Sequence, residues 1–244
     1  YGIDPTTILA VTFSKKAKES IEQRLGKLGV ANVNVETFHS LALKIITSTY
    51  GYGKYKVWTA SWEKEKALKE ICCDLLGLCR NKDDVPYNGI LRFLGIQKTN
   101  MLGSTDSLIY SDDDPYPDDR MKKIYKMYED YKKDKSYIEF DDFLNMANQC
   151  FDKFPDILKF YQNKYLYVLS DEFQDVSMAQ SLLLKRINNK NTMIVGDPLQ
   201  AIYSFRGGRS EYIMQFDQNY SDVKIVHLNT NYRCSTDIVR MANM

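Results

Sequence analysis

No cysteine in this chain is spaced to hold a metal or a redox pair. The five present, Cys72, Cys73, Cys79, Cys150 and Cys234, are odd in number and contain no C-x-x-C. With only His39 and His227 beside them, a zinc site lacks ligands, and reduced thiols of a cytoplasmic protein are expected. Charge of one sign is not in excess either: 33 Lys and Arg face 32 Asp and Glu, a net charge of +1. No global basic field exists, so any nucleic-acid contact must come from a local surface. No apolar run approaches the ~20 residues of a membrane span, and no signal-peptide pattern opens the chain. Internal repeats and low-complexity tracts are absent. A phosphate-binding loop, G-x-x-x-x-G-K-[ST], is missing too. The nearest candidate, Gly51-Tyr52-Gly53-Lys54-Tyr55, has Tyr55 where Ser or Thr is required and Ser48 in place of the first glycine, so it cannot cradle phosphates in that way.

What remains is an ordinary globular composition, 44% apolar and 27% charged over 244 residues, enough for one large domain or two smaller ones. Ile8 to Phe13 is a continuous apolar run, the signature of a strand buried on both faces. Ser14 suits the N-cap of a helix on which Ala17, Ile21, Leu25 and Leu28 recur at helical spacing. Val33 to Val35 predicts a second strand and Phe38 to Ile46 a second helix, a rhythm that argues for a parallel sheet with helical crossovers. From about Trp58 the pattern changes. Ala67 to Leu76 and Ile124 to Tyr131 predict amphipathic helices, with the polar stretch 104–119 as a loop between them and no strand before Ser136. Strands resume at Tyr165 to Ser170, Thr192 to Val195 and Val223 to Leu228. The chain starts at Tyr1 rather than methionine, which predicts a part of a longer protein.

The most informative stretch is Tyr167-Val168-Leu169-Ser170-Asp171-Glu172-Phe173-Gln174-Asp175, an apolar strand ending in adjacent carboxylates. Ligands bind beyond the carboxyl ends of parallel strands, and phosphoryl transfer to water needs a metal and a group that orients the nucleophile. The bland alternative is a set of acids favouring a helix N-terminus. Val195-Gly196-Asp197-Pro198-Leu199-Gln200-Ala201-Ile202-Tyr203-Ser204-Phe205-Arg206-Gly207-Gly208 follows. Its Gln200 can donate to a phosphate oxygen and accept from water, or simply decorate the surface. Its aromatics could pack as local core. Asn231-Tyr232-Arg233 comes last; its plain reading is the approach to a helix near Ser235 and Asp237, with Arg233 in a salt bridge.

These three blocks, in this order, resemble the UvrD/Rep/PcrA group of superfamily 1 DNA helicases. Upstream, Thr12-Phe13-Ser14-Lys15-Lys16-Ala17 and Thr37-Phe38-His39-Ser40-Leu41-Ala42 resemble that family's first two DNA-contact motifs. Ile138-Glu139-Phe140-Asp141-Asp142-Phe143-Leu144 is similar to the segment that returns to the core after a helical insertion. The resemblance implies an α/β fold: an incomplete parallel-sheet RecA-like P-loop NTPase domain, residues 1–62 and 137–244, with an inserted helical subdomain at 63–136. It implies Asp171 as the Mg2+ ligand, Glu172 as general base, Gln200 as sensor of the terminal phosphate, Tyr232 stacking on adenine and Arg233 reaching the γ-phosphate. Phe13, Ser14, Thr37, Phe38, His39, Tyr203, Phe205 and Arg206 are implied in nucleic-acid contact, with single-stranded DNA and ss/ds junctions as partners and no membrane. Many relatives carry tryptophan at the Phe205 position. The implied function is ATP-dependent translocation on single strands, 3′ to 5′, with duplex unwinding. The alternatives are a helicase-like module that binds DNA or a partner without hydrolysis, and the helicase portion of a helicase–nuclease. In the family the phosphate loop lies upstream of the strand that leads to Phe13.

Overall fold

Strands and helices alternate at both ends of the chain, and helices alone fill the stretch between. The computed structural model describes residues 2–116, 119–188, 190–202 and 208–242. β1 (Ile8–Thr12) leads through α1 (Lys15–Lys27) to β2 (Asn34–Thr37) and α2 (Phe38–Tyr50). The chain leaves along β3 (Lys56–Val57) into α3 (Ser61–Lys69), a π-helical turn at Glu70–Leu75, α4 (Tyr87–Thr99) and α5 (Asp119–Lys135), and returns along β4 (Tyr137–Ile138). α6 (Phe140–Lys153), α7 (Pro155–Lys164), β5 (Tyr167–Ser170), α8 (Met178–Ile187) and β6 (Thr192–Ile194) follow, then the short helices α9 (Glu211–Met214), α10 (Phe216–Asn219) and α11 (Thr236–Ala242).

The main sheet is parallel, in the order β2-β1-β5-β6. Its register places Thr12 opposite Thr37 and Val11 opposite Ser170, so the strands carrying different motifs end side by side. Leu9, Val11 and Val168, which share a face, are buried with Phe38, Leu41 and Ile45 of α2, Phe143 and Ala147 of α6, and Leu183 of α8. Local chemistry starts the helices where they must turn back onto this sheet. Ser14 Oγ accepts from the Ala17 amide (3.1 Å) at the start of α1, and Thr37 and Ser40 exchange reciprocal capping bonds at the start of α2, each cap stabilising by about 1 kcal/mol.

A second core lies under α3, α4 and α5, where Leu68, Ile71, Phe93, Ile124 and Tyr128 are buried. Trp58, just past β3, stacks on Tyr128, Tyr131 and Tyr137 with ring centroids 5.7, 5.8 and 4.9 Å away. β3 and β4 pair in parallel, so the outgoing and returning crossings are bonded to each other. Behind them lies an ionic cluster, buried at Lys98, Lys132, Glu139 and Asp142. Lys98 of α4 reaches Glu129 (3.0 Å), Glu139 (3.1 Å) and Asp142 (2.8 Å). Lys132 of α5 reaches the same three at 2.8, 3.4 and 2.7 Å. Lys64 of α3 completes the cluster on Glu139 at 2.8 Å, and the Tyr128 hydroxyl donates to Glu139 at 3.0 Å.

One sequence expectation is corrected, one is refined and one helix is added. Val223 to Leu228 forms no strand; Ile225, Val226 and Leu228 are 63%, 69% and 87% exposed. An apolar run becomes a strand only by pairing, and among the described residues β6 has β5 as its one neighbour. The helix expected over 67–76 is α only to Lys69 and continues as the π turn. α4, which buries Ile90, Phe93, Leu94, Gln97 and Lys98, was not anticipated, because a buried lysine and glutamine break its apolar stripe. Among the described residues, no helix is long and apolar enough to cross a membrane, and the five cysteines are free.

The ionic cluster predicts an acid-sensitive stability. Burial pushes the Glu139 carboxyl up, but the Lys98, Lys132 and Lys64 ammoniums outweigh it and hold it at about 2 against an ordinary 4.5. The unfolded chain therefore binds more protons, so this contribution is complete above about pH 4.5 and is lost as pH falls toward 2. Urea midpoints are expected to hold steady near neutrality and drop below that range. Lys98→Met, which removes the charge and leaves the acids under-compensated, is expected to cost about 3–5 kcal/mol at neutral pH; an unchanged midpoint would show that the cluster does not hold the fold.

Candidate functional site

The carboxyl ends of β1, β5 and β6 build the site. Past β5 the Asp171 amide still donates to the Val11 carbonyl (3.2 Å), and Asp171 Oδ1 accepts from the Glu172 amide (3.0 Å). Glu172 sits at φ 53° and ψ 42°, the left-handed region that few residues other than glycine occupy and that costs of order 1 kcal/mol or more. Glu172 itself is exposed. The next residues bury themselves at once: Phe173, Gln174 and Asp175 form a single 3-10 turn.

Gln174 joins the two acidic loops. Its Nε2 donates to Glu172 Oε2 (2.7 Å) and its Oε1 accepts from the Asp197 amide (3.1 Å). Beneath it the Phe173 amide donates to the Val195 carbonyl (3.0 Å) and the Val195 amide to Ser170 (2.8 Å). Gly196 is required here. A Cβ at that position would lie 2.5 Å from Gln174 Oε1, 2.9 Å from Ile213 Cδ1 and 3.0 Å from the Phe173 nitrogen. Asp197 then caps the turn Pro198–Gln200, accepting from the Leu199 amide (3.0 Å) and from Gln200 Nε2 (2.8 Å). Gln200 is exposed. Gln174 and Gly196 were not singled out from sequence, although a glycine between an apolar strand and an Asp-Pro turn is a usable signal for close backbone approach.

Magnesium takes oxygen ligands and is commonly held by one or two carboxylates, substrate phosphates supplying others. Asp171 fits that donor set: one oxygen receives the Glu172 amide and the other makes no hydrogen bond to a described residue. Among the described residues no group of three or more His, Cys, Asp or Glu side chains could hold a metal without such added ligands.

The residues assigned to nucleic acid divide. Phe13, half-buried, and His39 line a cleft of about 490 Å³ between the sheet's carboxyl end and α4, along with Arg92, Thr99, Asp141 and Gln180. Burial pushes the His39 imidazole below its ordinary pKa, with nearby Asp141 opposing. Phe140 lies edge-on to the His39 ring at 6.3 Å. Ser14 and Thr37 use their hydroxyl oxygens as helix caps; the exposed Ser14 keeps a proton to donate. Phe38 is corrected: its ring is 1% exposed in the main core, so it packs and cannot stack on a base. Tyr203, Phe205 and Arg206 lie outside the described residues.

Tyr232 and Arg233 are not brought to the carboxylates. Asn231 Oδ1 accepts from the Arg233 and Cys234 amides (2.9 and 3.0 Å), making a side-chain turn of the usual asparagine kind. Tyr232 is 93% exposed, and the Arg233 guanidinium makes no hydrogen bond or ion pair with a described residue. The strand expected at 223–228, which would have carried this triplet to the sheet, is not formed.

Gly196→Ala is expected to destabilise by about 1–3 kcal/mol through overpacking, and Gln174→Ala by about 1 kcal/mol because it leaves the half-buried Asp197 amide without its acceptor. Thermal unfolding of both variants checks this, and a change below ~0.5 kcal/mol, the scale of surface substitutions, would show that the two loops are not locked together.

The sequence profile of the UvrD/REP helicase N-terminal domain matches residues 1–221. DNA helicase II of Rickettsia typhi is 32% identical over 98% of this chain and 37% of its own length. A Bacillus subtilis protein named YjcD is 30% identical over 100% of the chain and 32% of itself. The ATP-dependent DNA helicase PcrA of Bacillus subtilis is 29% identical over 99% and 33%. The chain thus spans about a third of the length of the curated relatives it matches. An acidic pair ending a parallel strand, joined through one amide to the loop of the next strand and matched by this profile over nearly the whole chain, identifies it as a member of the UvrD/REP helicase N-terminal domain family.

Proposed function

We propose that this chain forms the nucleotide- and strand-facing part of an ATP-dependent DNA helicase that couples Mg-ATP hydrolysis to movement along single-stranded DNA and separation of the duplex at ss/ds junctions. One observation carries the reading. Val11 pairs with Ser170, so Phe13, the candidate strand contact, and Asp171–Glu172, the candidate hydrolytic pair, leave adjacent ends of one sheet. A displacement at either is felt at the other within two residues of backbone.

In this reading Asp171 holds the magnesium ion, which when bound neutralises charge on the phosphates. Glu172 takes a proton from the attacking water, its carboxylate aimed by Gln174. Gln200, held by Asp197, meets the terminal phosphate. Tyr232 and Arg233 serve the adenine and the γ-phosphate only after their segment moves to the sheet. Phe13 and Phe205 are the residues on which bases would stack, at roughly 1–3 kcal/mol per base, and Ser14, Thr37, His39, Tyr203 and Arg206 are the further candidate strand contacts. The two cores and the paired crossings support a division into a discontinuous sheet domain, 1–62 and 137–244, and a helical subdomain, 63–136. Net charge of +1 favours local surface and stacking over a broad field as the means of strand binding.

The 244-residue chain contains no phosphate-binding loop, and positioning with charge stabilisation is nearly all that catalyses this reaction. Purified, it is therefore expected to bind single-stranded DNA weakly, less so as salt rises, and to hydrolyse ATP negligibly. Phe13→Ala and Phe205→Ala are each expected to weaken strand binding by about tenfold, on the scale of one lost stacking contact. Fluorescence anisotropy with a labelled oligonucleotide checks this; equal affinity for all three proteins at several salt concentrations would defeat the strand reading. Robust ATP turnover abolished by Glu172→Gln would defeat the account of the missing loop.

A further inference from the structure

The residues flanking 203–207 are anchored on one short loop. The Ile202 amide donates to Asp175 Oδ1 (3.3 Å), and the Arg209 amide donates to the Val176 carbonyl (3.2 Å). Asp175 closes the turn that begins after Glu172 and Val176 caps it; both are buried. The Arg209 side chain then crosses to the helical stretch: its Nη2 donates to Asn100 Oδ1 at 2.7 Å, across 109 residues of sequence.

Asn100 is built to receive it. It is the C-terminal cap of α4, and its Nδ2 donates to the Ile96 carbonyl at 2.9 Å. That bond fixes the amide, so the acceptor oxygen faces the guanidinium. The same end of α4 is pinned to α6, since Asn145 Nδ2 donates to the Lys98 carbonyl (2.7 Å) and Lys98 Nζ lies among the buried acids. The bond from Arg209 therefore joins the loop after the carboxylates to a multiply bonded point of the helical stretch. Among the described residues no carboxylate pairs with Arg209, so the rival reading is a free cation awaiting a phosphate.

We infer that Arg209 and Asn100 are positioning residues: a latch through which the helical insertion holds the backbone at residue 209 against the loop that follows Glu172. Its purpose rests on the reading of Phe205 as a stacking residue; its geometry does not. The latch makes the position of the helical stretch felt at residue 209 and at the loop that follows the carboxylate turn.

Hydrogen exchange and strand binding on the full 244-residue chain separate latch from phosphate contact. Arg209→Ala and Asn100→Ala are each expected to speed exchange of the Arg209 amide about three- to tenfold, and the double variant no further. Asn100→Asp, which keeps the acceptor, should retain protection. Single-strand affinity should fall severalfold in both alanine variants with the salt slope unchanged, whereas loss of a phosphate contact lowers that slope by about one. Unchanged exchange in Asn100→Ala overturns the latch. So does a reduced salt slope in Arg209→Ala with normal binding by Asn100→Ala. Should the unsubstituted chain fail to bind single strands, the strand reading falls, and exchange at the Arg209 amide alone decides the latch.

Discussion

Four charges taken out of water, with two partly buried partners, hold this chain to one arrangement. Lys64, Lys98 and Lys132 come from three helices of the inserted stretch, Glu129 from the third of them, and Glu139 and Asp142 from the start of the returning sheet domain. Such pairs add little net stability over a well-packed apolar core, because desolvation offsets their attraction. Their effect is on position. An apolar contact tolerates sliding, whereas an ammonium shared among three carboxylates has one satisfactory place. Lys98 keeps its proton although burial opposes this, since Asp142, Glu129 and Glu139 together raise its pKa well above the ordinary value. Everything that α4 presents to the cleft, and the place where Asn100 meets Arg209, follows from that fixed point.

The sheet domain solves a different problem, how to bring distant motifs to one edge without a large binding loop. Parallel register does most of it, because each strand ends on the same side and neighbouring ends are one strand spacing apart. Gln174 does the rest. A single buried amide takes a proton-donating role toward Glu172 and an accepting role toward the Asp197 backbone, so both acidic loops share one rigid bridge. Gly196 is the condition for that bridge, since any side chain there would occupy the space of the Gln174 oxygen.

Local signals read well in this sequence where they are strong and short-range. The β1 run, the Ser14 cap, the helix start at Phe38 and the acidic pair after β5 are each legible from a few adjacent residues, and the structure puts a strand end or helix start at each. What escaped depends on partners far away in the chain. α4 hides because Gln97 and Lys98 look polar and become core only through Ile109, Glu139 and Asp142. β3 and β4 are too short to show any alternation, and each exists because the other lies beside it. Phe38 misleads in the opposite sense, since a helix-start aromatic within a contact motif can point inward. The run at Val223 has strand composition, but composition cannot supply the neighbour it lacks among the described residues.

The pairing of β3 with β4 has a topological meaning. The chain departs at Val57 and returns at Tyr137 through strands in contact, about 4.8 Å apart as paired strands are. To the sheet domain, the whole helical stretch is a loop whose neck is already closed. Closure entropy grows only with the logarithm of loop length, so the sheet domain is nearly indifferent to how much protein hangs beyond that neck. A different helical unit, larger or smaller, could be carried on the same two residues per strand, and the sheet domain would sense it only through the side chains that reach back.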